Sequence, residues 1–334
     1  METGALMFHR FRIGDASATI VSDGPLVLPA AARIFRGPGA DALDAAVTAS
    51  GQRTDAVRVE QNCLLIETAG KRVLFDNGLG SEKLYGPDSG QLLTSLAEAG
   101  VDPVSIDAMV LTHAHSDHCW GTMGDDGRPN FPNATIFISQ AEMDYWESNP
   151  PGERRERSIA GVRRHLLPLR DRMRFVRDGE EFLPGVQGWH TPGHTPGHMA
   201  FLFAGGWCLT GDVAFHDPLS YAFPEARSAY DVDPQQAVAT RRRLLDRMVD
   251  ERLRVIGYHH PWPGLGHVER AGGTFRFVAA PPPPRPPPAR GGGVRISAPP
   301  PLAGGGRGEG ATGSAAATAR RDRPAPRGPP ACVT

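Results

Sequence analysis

The alternation of apolar and polar positions sets out a series of strands. Phe8-His9-Arg10-Phe11-Arg12-Ile13 alternates as a half-buried strand does, and Ala18 to Ser22 reads as a second, with Asp15 as turn chemistry between them. Asn62 to Glu67 and Arg72 to Asp76 flank Ala69-Gly70-Lys71, a short hairpin link. From Gln91 to Ala99 the period turns helical: Leu92, Leu93 and Leu96 share a face, and Gly100 stands as the C-cap. Ile106 to Thr112 is a buried-type strand that runs straight into a cluster of histidines. Ala134 to Ile138 is the next strand, and Ser139 with Glu142 forms a capping box for a helix reaching about Glu147. Further strands are predicted at Met199 to Phe203, Trp207 to Thr210, Val255 to Tyr258 and Thr274 to Val278. Asp233-Pro234 opens a helix through about Arg252. Strands and single helices in mixed order predict a layered α/β protein.

Composition changes this picture at one place. From Ala279 to Thr334 the chain holds 14 Pro, 10 Gly and 12 Ala, no aromatic residue, and only Val294, Ile296, Leu302 and Val333 as large aliphatics. Such a segment buries too little apolar surface to offset its ordering entropy, so residues 279–334 are expected to be a disordered tail behind a folded domain of residues 1–278. The 334 residues carry a net charge of −1, but the tail holds eight Arg against Glu309 and Asp322, a local balance of +6 that leaves the folded part at −7. A mildly acidic domain does not suit a protein that coats nucleic acid or an anionic membrane, and neither is expected as a partner. No run approaches the ~20 apolar residues of a membrane span, and Met1 to Arg12 lacks the order of a signal peptide, so a cytoplasmic location is expected. The four cysteines have no paired spacing; Cys63 and Cys208 read as small core residues, and Cys119, beside His118, reads as packing behind a loop.

Chemistry concentrates in Thr112-His113-Ala114-His115-Ser116-Asp117-His118, directly after an apolar strand. Three imidazoles and a carboxylate within six positions cannot all face a core, because burying them unpaired costs several kcal/mol. They are the ligand set that suits zinc and comparable divalent ions. Where the chain is extended, His113 and His115 point the same way and can hold one ion; Asp117 and His118, further round the turn, can serve a second.

An HxHxDH run after a hydrophobic strand resembles the signature of the metallo-β-lactamase superfamily, and three later segments follow in that family's order. They are Thr191-Pro192-Gly193-His194-Thr195-Pro196-Gly197-His198, Thr210-Gly211-Asp212, and Gly257-Tyr258-His259-His260-Pro261. The resemblance spans about residues 8–278 and implies an αββα sandwich with metals at one edge of two sheets. It implies that His113, His115 and His194 hold one metal, that Asp117, His118 and His259 hold another, and that Asp212 bridges them, with His260 the fallback for His259. Asp117 and Asp212 are the implied catalytic carboxylates. The implied cofactors are two divalent ions, with zinc the expected element. His198 is expected to orient a neighbouring ligand or loop, while His190, His216 and His267 are expected to be surface or loop residues.

The run from Gly211 through Pro261-Trp262-Pro263-Gly264 looks most like the branch of methyl parathion hydrolase and related lactonases. That implies hydrolysis of a small lactone, ester or organophosphate triester by a hydroxide between the two ions. A mononuclear iron oxidoreductase of the sulfur dioxygenase type and a glyoxalase II-like thioesterase are the alternatives, and a homodimer stays open. Trp120, Trp146, Phe215, Phe223 and Trp262 are expected to line the substrate pocket, with Phe215 to Tyr230 as a lid or wall.

Overall fold

The computed structural model describes residues 7–281; within the helix Glu153–His165 the side chains of residues 153 and 154 are also outside the description. The expected tail therefore lies outside the described residues from Pro282 onward. Among the described residues no helix is long and apolar enough to cross a membrane.

Two seven-stranded sheets are assembled one after the other along the chain. The first takes, in order, Phe8–Ile13, Ala16–Ser22, Asn62–Thr68, Lys71–Phe75, Ala108–Val110, Thr135–Ser139 and Met173–Val176. Its first four strands are antiparallel and its last four are joined in parallel. The second takes Glu181–Leu183, Val186–His190, Met199–Phe203, Trp207–Leu209, Arg254–Ile256, Leu265–Ala271 and Thr274–Ala279. Its one parallel pair, Trp207–Leu209 with Arg254–Ile256, needs a crossover, and the helix Pro234–Asp250 supplies it.

Period-two alternation decides which side of each strand goes where. In Asn62–Thr68, Leu64 and Ile66 face the second sheet, packing with Phe75, Phe201, Phe203 and Leu209, whereas Cys63 and Leu65 join the opposite cluster with Leu92, Leu96 and Trp146. A strand buried on both faces reads as a continuous apolar run, as this one does. The outer face of the second sheet is covered by the helix Pro234–Asp250 through Leu244, Leu245 and Met248. The layers are thus helix, sheet, sheet, helix, the αββα sandwich implied by the sequence motifs.

A further small unit was not foreseen. Strands Leu26–Pro29 and Ala56–Val59 pair with each other, and with helices Ala31–Ile34 and Ala40–Ala49 they form a separate core of Leu28, Ile34, Leu43, Val47 and Val57 that reaches Phe215 and Leu219. The helix Glu153–His165 and the strands between Met173 and His190 were likewise not predicted.

Candidate metal centre

Each chemically interesting side chain stands just past the end of a strand, at one edge of the sandwich. His113 and His115 follow Ala108–Val110, and Asp117 and His118 sit in the one-turn helix Ser116–Cys119 that comes next. His194 lies in the loop between Val186–His190 and Met199–Phe203; Asp212 follows Trp207–Leu209; His259 follows Arg254–Ile256. The two sheets are tied together there by backbone and side chain. The Met199 N–H donates to the Thr112 carbonyl at 2.9 Å, and the buried Asn62 amide donates to the Gly257 and His260 carbonyls at 3.0 and 2.8 Å, fixing the loop that carries His259.

The seven residues converge. His115 Nδ1 lies 3.0 Å from both His113 Nε2 and His194 Nε2. His118 Nε2 is 3.7 Å from Asp117 Oδ2, and His259 Nε2 is 3.2 Å from the same oxygen. Asp212 stands between the two groups. Its Oδ2 is 3.2 Å from His194 Nε2 and 4.0 Å from His113 Nε2, while its Oδ1 is 3.2 Å from His118 Nε2 and 3.4 Å from His259 Nε2. His260 turns the other way, and its Nε2 meets the Tyr221 hydroxyl at 2.6 Å.

These distances suit cations. Ligand atoms about 2.0–2.1 Å from a tetrahedral zinc stand about 3.3 Å apart, close to the separations found here. His118 Nε2 and Asp212 Oδ1 are buried with no hydrogen-bond partner, a cost that proteins seldom leave unmet. The charge distribution agrees. Burial opposes the ionised form of Asp212, but the imidazoles of His259 and His118 outweigh it and hold the carboxyl well below its usual range. Burial likewise opposes protonated His194, yet hydrogen bonds to Asp212 and Asp231 raise it to about 9. A divalent ion would take the place of such protons, linking metal uptake to proton release.

Outer partners fix which nitrogen faces inward. His118 Nδ1 meets Asp76 Oδ2 at 2.8 Å, and Asp76 also accepts from the Thr112 amide and hydroxyl, each at 2.8 Å. The Thr112 hydroxyl lies 3.0 Å from His113 Nδ1. His194 Nδ1 meets Asp231 Oδ1 at 3.0 Å, and His259 Nδ1 meets the Glu60 carbonyl at 2.7 Å. His198 Nε2 accepts the Asp212 N–H at 3.0 Å, the orienting part expected of it. Gly211, at φ +49°, permits that contact: a Cβ there would lie 2.5 Å from His198 Nε2.

Glu142 leaves the expected capping box half made: Ser139 Oγ accepts the Glu142 amide at 3.1 Å, but the Glu142 carboxylate turns elsewhere. Fully buried, its Oε1 accepts from the Ala114 amide at 2.9 Å and Trp146 Nε1 at 2.7 Å, and its Oε2 from the Thr195 hydroxyl at 2.6 Å and the Gly197 amide at 3.1 Å. One carboxylate thus joins the His113–His115 segment to the His194 loop. Sequence reasoning missed this role and those of Asp76 and Asp231. Only Asp76 left a signal, as an acid closing an apolar strand.

A cavity of about 820 Å³ opens over the cluster, and Trp120, Trp146, Phe215 and Tyr230 line it beside His115, Asp117, Asp212 and His259. Two expected lining residues stand elsewhere. Phe223, at the C-terminal end of the short helix Leu219–Ala222, packs against the small core of Leu28 and Phe35. Trp262, 37% exposed, follows the His259 loop outward to the surface. His216 lies in the loop before the helix Leu219–Ala222, but buried there and not at the surface. Cys63, Cys119 and Cys208 are buried, and burial raises each thiol, so Cys119 is a packing residue.

The comparisons agree with this geometry. The profile of the metallo-beta-lactamase superfamily matches residues 56–260. An N-acyl homoserine lactonase of a Bacillus sp is 28% identical over 218 residues, 59% of this chain and 80% of that protein. The lactonase AttM of Agrobacterium fabrum is 30% identical over 108 residues, 31% of this chain and 38% of its own. Among solved structures, AidC, a dizinc quorum-quenching lactonase, superposes with a TM-score of 0.76 at 25% identity, covering 82% of this chain and 97% of AidC. The hydrolase AbOPH gives 0.75 at 25% identity, covering 83% and 99%. With its sandwich, its ordered motifs and a match over most of its length, this chain belongs to the metallo-β-lactamase superfamily, on the lactonase-like side.

Proposed function

We propose that the protein is a metal-dependent hydrolase that cleaves a lactone, an ester or an organophosphate triester at a centre of two divalent ions. The observation that carries this reading is the division of Asp212, one oxygen towards His194 and His113 and the other towards His118 and His259. On this reading His113, His115 and His194 hold one ion, Asp117, His118 and His259 the other, and Asp212 both. The lactonase relatives and the dizinc neighbour favour a lactone as substrate and zinc as the metal.

Two divalent ions held by these seven residues would supply a hydroxide nucleophile at neutral pH and polarise a carbonyl or phosphoryl oxygen. With five neutral imidazoles and two carboxylates around them, the centre keeps a net charge of about +2, suited to a developing oxyanion. The chain's own residues do the rest. Trp146 and Phe215 give the cavity apolar walls that seat the substrate away from water. Asp117, whose side chain is 13% exposed and lines the cavity, is an ionised carboxylate placed to take the proton of the attacking water and hand it on to the leaving oxygen. Glu142, Asp76 and Asp231 keep the donors aimed inward.

The donor atoms of Asp117, His118 and His259 lie within 4.8 Å of one another, close enough for a second ion that a single-iron oxygenase does not require. Elemental analysis of purified protein, with a panel of lactone, phosphotriester, thioester and β-lactam substrates, tests the proposal. About two ions per chain and turnover of a lactone or phosphotriester are expected. One iron with oxygen uptake would overturn it, and turnover confined to thioesters would move the substrate class.

A further inference from the structure

The cavity over the cluster has a second kind of wall. Besides Leu26, Leu28 and Phe215 it is lined by Arg155 and Arg157, both from the first turns of the helix Glu153–His165. The acids that line the same cavity are engaged: Asp117 and Asp212 within the histidine cluster, and Asp231 with His194 Nδ1 at 3.0 Å and the Ser228 amide at 3.0 Å. The guanidinium groups are less occupied. Arg155 gives one N–H to the Pro151 carbonyl at 2.9 Å and lies 6.0 Å from the Tyr145 ring centre. Among the described residues, Arg157 makes no ion pair. It stands near enough to Tyr85, another lining residue, to favour that phenol's ionised form against the burial that raises it.

Two guanidinium groups on the cavity wall, where the acids are already engaged, have a chemical meaning. An arginine fork matches a carboxylate or phosphate in shape and charge, and a hydrogen bond between charged partners is about twice as strong as a neutral one. An uncharged aliphatic substrate would leave both forks facing solvent and gain nothing from them. We propose that this cavity selects substrates carrying an anionic group, a carboxylate in the simplest case, at the end remote from the scissile bond, held by Arg155 and Arg157. The substrate class is then an amphiphilic acid ester or lactone whose apolar middle lies along Leu26, Leu28 and Phe215. This inference rests on the hydrolase reading for its scissile bond, but on the cavity wall alone for its anion.

Binding of unreactive acids separates the two. Zinc-loaded protein is titrated calorimetrically with α,ω-dicarboxylates from succinate to sebacate, and with monocarboxylates of matching length. A second carboxylate that reaches the arginines is expected to tighten binding by about tenfold or more at one preferred length, since a charge-assisted hydrogen bond contributes on that scale. The advantage shrinks with added salt. In the double variant Arg155→Met, Arg157→Met the ratio of dicarboxylate to monocarboxylate affinity falls towards one. Equal affinities in the natural chain at every length would overturn the proposal. So would a ratio that survives in the variant while both affinities fall together, the mark of a structural role. Failure of every lactone, ester and phosphotriester in the panel would instead remove the hydrolase reading and leave this ratio standing.

Discussion

Replacing Glu142 by glutamine keeps the shape of the side chain while removing its charge and converting one acceptor oxygen into an NH2 group. All four atoms that meet this carboxylate point hydrogens at it: the Ala114 and Gly197 amides, Trp146 Nε1 and the Thr195 hydroxyl. If the new NH2 replaces Oε1, the Ala114 amide and the indole both lose their acceptor. If it replaces Oε2, the Thr195 hydroxyl can rotate to accept, but the Gly197 amide cannot. One or two buried donors are therefore orphaned, each costing about 1–3 kcal/mol, and the remaining bonds lose their charge assistance. The sum is about 2–6 kcal/mol, a large share of the ~5–15 kcal/mol that holds a typical domain. Burial raises the Glu142 carboxyl above its ordinary value, but a protonated acid would aim its own hydrogen at a donor, so the ionised form is the one this geometry needs. Thermal or urea melting of Glu142→Gln reads the stability loss. Competition for zinc with a coloured chelator reads the second effect, because Ala114 lies between His113 and His115 and Thr195 follows His194: about 10–100-fold weaker retention is expected. Trp146→Phe, which withdraws one donor, should make the Glu142→Gln change milder in the double variant than the two separate losses add up to. An unchanged melting midpoint with unchanged zinc retention would refute the reasoning.

Other substitutions probe the neighbouring parts. His259→Ala should leave the fold standing and drop bound metal from about two ions to one, whereas His260→Ala should keep both ions and melt earlier, because its ring is packed against Tyr221; elemental analysis and melting curves that reversed this pattern would exchange the two assignments. Asp76→Asn should weaken metal binding about 10–100-fold by disturbing the partner of His118 Nδ1, and a chelator titration indistinguishable from the natural chain would remove Asp76 from that role. Half-buried Asp217 is raised by burial from 3.8 to about 6, so its ionised form opposes folding. That penalty is absent below about pH 4, grows as pH rises through 6 and stays level above it; Asp217→Asn should gain about 1–3 kcal/mol at pH 7–8 and nothing near pH 4, and a gain that does not vary with pH would count against it.

What the sequence made legible follows from how local its signals are. The HxHxDH run shows because four donors sit in six consecutive positions, and the long helix from Pro234 shows because Asp233 caps it, its carboxylate accepting from the Gln235 and Gln236 amides. His259 and His260 were distinguishable only through resemblance, since two adjacent histidines look alike until Tyr221 claims one of them. Asp231, Asp76 and the bridging part of Glu142 depend on chain segments far apart in sequence, and periodicity carries no trace of such meetings. The helix Glu153–His165 escaped because only Ile159 and Val162 of its described residues form a buried apolar stripe among arginines. The unit around Leu28 and Val57 escaped for another reason. Its pairing of Leu26–Pro29 with Ala56–Val59 crosses two helices, leaving no hairpin signal between adjacent strands. Phe223 and Trp262 were misplaced because proximity to a motif along the chain does not fix which way a ring turns.

Each sheet is made from one unbroken stretch of the chain, and the crossing from one to the other falls between Val176 and Glu181. The donors divide along the same line: His113, His115, Asp117 and His118 come before it, and His194, Asp212 and His259 after it. Neither half owns a complete coordination set. Any cation seated there would fasten the two halves like a rivet, and would meet its full set of donors only after both have formed and docked. Metal capture in such a molecule would report that folding had finished, and a partly folded chain would be unable to perform the chemistry prematurely.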